Sequence, residues 1–191
     1  MKRLAIFLFL LFPASAAIAG PFGLEVGMPL AKLRVLESNG DGSYMVSVPQ
    51  PHPAFDSYIA KVSPRFGLCK IVGLGKTLLN DAYGSQARQE FESLYGSLIA
   101  KYGTAKKYDF LNYKSIWNEP NDWAMAVHKK ERSLSAYWDR DEGSNIPSEI
   151  YTIALHARSL SMDKTYITLN YELSNFEQCS AEQKSTADSA L

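Results

Sequence analysis

The stretch 56–77, DSYIAKVSPRFGLCKIVGLGKT, limits the fold more than any other part of the chain. It predicts two strands, over 58–62 and 68–74, around a Ser63-Pro64-Arg65-Phe66-Gly67 turn. On the second strand Leu68, Val72 and Leu74 share a face with Lys70, while Cys69 and Ile71 take the other. Both faces are largely apolar, so this strand belongs inside a sheet and not at its edge. Gly73 and Gly75 let another group approach closely.

The N-terminus decides the compartment. Met1-Lys2-Arg3 is a short positive head, and an apolar run follows to Phe12. Pro13 and Ser15 break that run, and Ala17-Ile18-Ala19 sets small residues before Gly20. This is the pattern of a secretory signal peptide over 1–19, cleaved between Ala19 and Gly20, with Ala14-Ser15-Ala16 as a second candidate site. The run is far shorter than the roughly 20 residues a membrane-spanning helix needs, and no lipoprotein cysteine follows it. The expected location is therefore the periplasm or the extracellular space, with no membrane insertion after cleavage. Loss of Lys2 and Arg3 with the leader takes the 20 basic residues to 18, against 20 acidic ones. Such a balance offers no electrostatic reason to expect nucleic acid as a partner.

The chain has two cysteines, Cys69 and Cys179. In an exported protein an even pair predicts a disulfide. Closing so long a loop contributes roughly 4–5 kcal/mol in the chain-entropy view. Only Lys70 stands beside Cys69 to favour a thiolate, which is weak support for a nucleophile.

The remaining elements follow from periodicity. Leu30, Leu33 and Leu36 after Met28-Pro29 predict a short helix, ended by the Asn39-Gly40-Asp41-Gly42 turn. Tyr44, Val46 and Val48 alternate as a strand, and the proline-rich 49–53 segment connects it onward. The clearest element is a helix over 86–102, capped by Ser85 and stopped by Gly103. Its stripe of Ala87, Phe91, Leu94, Tyr95, Leu98, Ile99 and Tyr102 predicts a core face packed across the sheet. Residues 104–117 carry no clear period. A second helix is expected over 120–132 and a strand over 134–138. A final hairpin alternates Tyr151, Ile153, Leu155 and Ala157 with a polar set, then Ile167, Leu169, Tyr171 and Leu173 with another. The expected class is α+β: one domain over 20–178, an antiparallel sheet with helices on one side, in the order α-β-β-β-α-α-β-β-β, and a polar C-terminal tail over 179–191, disordered over 180–191.

Several motifs fail on their chemistry. Gly73-Leu74-Gly75-Lys76-Thr77 suggests a phosphate loop, but Lys70 stands where its first glycine belongs. Asp139-Arg140-Asp141-Glu142-Gly143 suggests a calcium loop, but Gly143, Ser144 and Ile150 occupy positions that need an oxygen ligand, a glycine and a glutamate. His52, His128 and His156 have no metal-ligand spacing within one element. No cofactor or metal is expected. The basic cluster 128–132, HKKER, suits a helix C-terminus. His156 is the best catalytic candidate, since Thr152, Arg158 and Asn170 share its polar strand face.

The opening PFGLEVGM, residues 21–28, resembles the start of small exported, functionally uncharacterised bacterial envelope proteins whose mature chain opens FGLxxGM. In those a Gly-Met pair begins a short helix and later strands form a small α+β domain. The resemblance implies an envelope protein and brings no catalytic residues. The leading expectation is a periplasmic binding or accessory protein without catalysis, with another envelope protein as partner. The alternatives are an envelope hydrolase built around His156 and an inhibitor or immunity-type protein.

Overall fold

A computed structural model describes residues 20–188, so the signal-peptide expectation over 1–19 lies outside the described residues. Eight antiparallel strands form one sheet: β1 (Arg34–Gly40), β2 (Ser43–Ser47), β3 (Phe55–Ser63), β4 (Gly67–Gly75), β5 (Lys106–Leu111), β6 (Arg132–Asp139), β7 (Ile150–Ser159) and β8 (Thr165–Leu173). Their spatial order is β1-β2-β3-β4-β8-β7-β6-β5. The sheet is thus two four-stranded meanders whose last strands, β4 and β8, pair in the middle from Lys70↔Glu172 to Leu74↔Thr168. The central position expected for β4 follows from its two covered faces. The helices are α1 (Ser85–Tyr102), α2 (Trp123–His128) and α3 (Phe176–Asp188).

The class is α+β as expected, but the expected element order is not the observed one. Leu30, Leu33 and Leu36 do not make a helix. The chain takes a single 3-10 turn at Leu30–Lys32 and then enters β1. Three leucines at helical spacing cannot repay the cost of nucleating so short a helix. Gly40, Asp41 and Gly42 all hold positive φ, and this tight turn folds 34–40 back onto β2. The unassigned 104–117 region supplies β5, an edge strand with little burial and so little periodic signal. The helix expected over 120–132 is a 3-10 turn at Pro120–Asp122 followed by two turns of α2, and Lys130 leaves it with φ of 60°.

The tail expected over 179–191 is the largest correction as far as residue 188; residues 189–191 lie outside the described residues. Residues 176–188 form α3, anchored from its first turn. Asn175 Nδ2 donates to the carbonyls of Phe66 and Leu68 at 2.8 and 3.1 Å, and Cys179 is joined to Cys69. A polar composition suggests disorder when read locally; here a long-range covalent tie supplies what burial does not.

The core lies between the sheet and the α1–α2 layer. Ala87, Phe91, Leu94, Leu98 and Tyr102 are the buried stripe of α1, with Tyr95 and Ile99 packed at its margin. That helix crosses β7 and β8 rather than the β3–β4 hairpin. The hairpin is covered instead by the N-terminal segment. Phe22 meets Phe55, Tyr58 and Tyr171 edge-on at centroid distances of 4.7–5.7 Å, and Leu24 is buried. Gly27 N–H donates to the Leu68 carbonyl and Leu68 N–H to the Met28 carbonyl, both at 2.9 Å. A side chain at Gly67 would collide with the Gly27 carbonyl, so this close approach requires glycine there. The cap of α1 also differs from expectation. Gly84, in the left-handed region, occupies the N-cap, and the carboxylate of buried Asp81 accepts the N–H groups of Gln86 and Ala87 at 2.9 and 3.0 Å.

The helices are not all on one side. Lys61, Lys70 and Glu172 mark the face of the sheet opposite the core. Lys70 Nζ lies 5.4 Å from the Phe176 ring centroid, and Ser63 Oγ bonds Glu182, so α3 packs against this second face at one end of β3 and β4.

Candidate functional site

Strand alternation puts two different surfaces on the sheet. Towards α1 and α2 point Ile153, Leu155, Trp138, Tyr171 and Ile71, all buried. Away from them point Thr152, His156 and Arg158 on β7, Ser135 and Tyr137 on β6, Lys106 and Tyr108 on β5, and Thr168, Asn170 and Glu172 on β8. The grouping of His156 with Thr152, Arg158 and Asn170 that the alternation predicted is therefore present. Among the described residues no helix covers this face over β5–β8, and a shallow cleft of about 500 Å³ runs along it. Lys106, Tyr108, Phe110, Ser133, Tyr137 and Thr152 are among its walls.

Tyr108 and Tyr137 in the cleft wall begin an aromatic row that continues to His156 beside the cleft. Tyr108 and Tyr137 rings meet edge to face at 5.9 Å, and Tyr137 meets His156 the same way at 5.3 Å. Edge-to-face contact locks these rings in orientation and leaves ring surface for a ligand. Ser133 and Ser135 hydroxyls are 3.1 Å apart, and Asn170 Nδ2 donates to the Ala154 carbonyl at 3.3 Å. At one end Lys106 pairs with Glu142 at 3.2 Å. Hydrogen bonding to Tyr108 and then to Glu142 raises the Lys106 pKa, so the ammonium stays charged.

His156 is the informative group. Burial, then Arg158 and Lys70, lower its pKa to about 4. The ring is neutral at pH 7 and too weak a base for proton transfer at that pH, where a general base works best with a pKa near the operating value. Among the described residues no carboxylate or hydroxyl hydrogen-bonds this ring. Its environment is that of a packed aromatic.

The other histidines stand apart. His52 Nδ1 accepts the Ala54 N–H at 3.2 Å, and His128 Nδ1 lies 3.3 Å from the Ser159 carbonyl. Among the described residues no group of three His, Cys, Asp or Glu side chains is placed to hold a metal. Gly73 serves packing, since a Cβ there would sit 2.9 Å from the Phe55 ring. Asp139 caps the 3-10 turn at Arg140–Glu142, its side chain accepting the Asp141 N–H at 3.0 Å. Arg132 from the basic cluster pairs with Asp109 at 3.5 Å. A second groove, of about 410 Å³, lies between α1 and the 52–54 loop, over Leu78 and Ile167.

Cys69 and Cys179 form a disulfide across 110 residues, with Cα atoms 6.5 Å apart. A bulge makes the geometry work. Leu68 pairs with Val62 and Lys70 with Lys61, so Cys69 is the extra residue. The bulge lets Leu68 and Ile71 both enter the core while Cys69 turns to α3.

The residues missed from sequence are Lys106, Tyr108 and Phe110 in the cleft and Asp81 at the cap. The first three alternate with Lys107, Asp109 and Leu111, which is a period-two signal, but with neither face apolar it does not stand out. Among the described residues no helix is long and apolar enough to cross a membrane. Compared with known protein families, curated proteins and solved structures, the chain matches none.

Proposed function

We propose that this chain is an exported binding protein that works without catalysis and engages another envelope protein through the open sheet face of β5–β8. The observation that carries this reading is the Tyr108–Tyr137–His156 row, flanked by serine, threonine and asparagine side chains on a face no helix covers. Rigid aromatic rings beside small hydrogen-bonding groups make an adaptable recognition surface with little ordering cost. The leader-like N-terminus, the envelope-like opening PFGLEVGM and a disulfide all favour a periplasmic setting. A hydrolase centred on His156 has less behind it, because that ring lacks an orienting partner and is held neutral.

The test is capture from a periplasmic extract with immobilised wild-type protein and a Tyr137→Ala variant. The expected result is a specific partner retained by wild type and lost with Tyr137→Ala, at unchanged melting temperature within a few degrees. A partner held equally by both proteins places recognition elsewhere and sinks this assignment.

A further inference from the structure

The two edges of the sheet are built differently. β1 has two register shifts against β2, and bulges of this kind twist an edge away from further pairing. β5 has none. Six consecutive pairs, Lys106↔Tyr137 to Leu111↔Arg132, keep perfect step with β6. Among the described residues no backbone group beyond β6 bonds to β5, so its outer row of N–H and C=O groups is open.

Lysines on an edge strand normally discourage pairing by their charge. Here each charge on β5 already has a counter-ion within the chain. Lys106 pairs with Glu142 at 3.2 Å, Lys107 with Glu92 at 2.5 Å, and Asp109 with Arg132 at 3.5 Å. The edge is electrically balanced. Phe110 on the strand is 55% exposed, and shortly after it in the chain come the two most exposed large apolar side chains among the described residues, Tyr113 at 88% and Ile116 at 76%. Such a group next to a flat open edge marks an interaction surface.

The sequence KKYDFL is complementary to itself when run antiparallel about Tyr108. In that register Tyr108 meets its own copy on the two-fold axis, Lys107 meets Asp109 of the partner subunit, and Lys106 meets Phe110 of the partner subunit. Residues directly opposite in an antiparallel pair share a face. Both Lys107–Asp109 pairs then fall on the helix-bearing face, and the tyrosine and Lys–Phe pairs fall on the open face. Two opposite-charge pairs, one aromatic pair and two cation–aromatic pairs arise from five residues of each copy, with no like charges opposed.

We infer that β5 pairs with β5 of a second copy of this chain, joining the two sheets into one and the two clefts into one face across the two-fold axis. Lys106, Tyr108 and Phe110 line the cleft, so pairing closes its open side with the same residues of the partner subunit. The pairing is independent of what the cleft binds: mass in solution tests the pairing, and capture tests the cleft.

The experiment is sedimentation velocity over a range of concentrations on the exported, oxidised protein. Wild type is expected to show a reversible dimer. Lys107→Asp sets a carboxylate opposite the partner's Asp109, and the two-fold axis repeats the clash, so the dimer dissociation constant rises about 10- to 100-fold. The double variant Lys107→Asp/Asp109→Lys restores the dimer. Tyr108→Cys is expected to form a disulfide-linked dimer quickly, since both native cysteines are already paired, whereas Phe110→Cys, which faces Lys106 of the partner subunit, is not. Melting curves check that each variant is folded. A wild-type monomer at all concentrations, a double variant no better than the single one, or equal cross-linking from 108 and 110 overturns the pairing and leaves the edge to an extended segment of some other protein.

Discussion

The two meanders of this sheet share a layout and differ in how they are closed. The first, β1–β4, has the N-terminal segment over its core face and α3 across one end of its other face, with a disulfide joining α3 to β4. Its outer strand is bulged. The second, β5–β8, has α1 and α2 over its core face, an uncovered second face and a regular outer strand. The first half is tied down by a disulfide, a covering segment and a helix across one end, although its edge strand β1 is exposed; the second keeps a face and a regular edge available.

Breaking the covalent tie should have the largest effect. The pair Cys69→Ser/Cys179→Ser is expected to lose roughly 4 kcal/mol in urea unfolding, with reduction of wild type giving a similar loss. Only Cys179 of α3 is buried among those of its side chains that are described, so hydrogen exchange in 176–188 should rise first.

Acid should act next, and through the second half. His156 has a folded pKa of about 4, below its unfolded value. The unfolded chain therefore takes up the proton first, so this contribution is complete above pH 6.5 and is lost as pH falls from 6.5 towards 4. The expected loss is up to about 3 kcal/mol, and His156→Gln should flatten that part of the pH–stability curve. An unchanged slope in the variant means that another group titrates.

Asp81→Ala tests how α1 is seated on the second half. The Asp81 carboxylate caps α1 and accepts the Thr165 hydroxyl at 2.6 Å, so it links the helix to the start of β8. Removing it should cost about 2–3 kcal/mol by thermal or urea unfolding. The smallest effect belongs to the open edge. Asp109→Asn breaks an ion pair with Arg132 at a half-exposed site and should change monomer stability by less than about 1 kcal/mol.

How much of this was legible in the sequence follows the same division. β4 announced its central place because both its faces are apolar, and α1 announced itself through an unbroken helical stripe. β7 and β8 were clear from alternation. The misreadings fall where tertiary structure overrides local pattern. Leu30, Leu33 and Leu36 have helical spacing, yet only Leu33 is buried, and a positive-φ turn at Gly40–Gly42 decides in favour of a strand. Residues 176–188 look like a tail until Cys179 finds Cys69. The phase change at Cys69 cannot be read locally either, because a bulge depends on the partner strand. Of the site, His156 and its neighbours were visible as one polar face. Lys106, Tyr108 and Phe110 were not, since an edge strand has no buried row to reveal its period.

The central claim is that the open face of the second meander is the working surface. A photo-crosslinking side chain placed at Tyr137, and in a separate protein at Met45 on the same face of the first meander, tests it in the periplasm. The predicted result is a discrete cross-linked partner from position 137 and none from position 45. Cross-linking from position 45, or from neither, contradicts it.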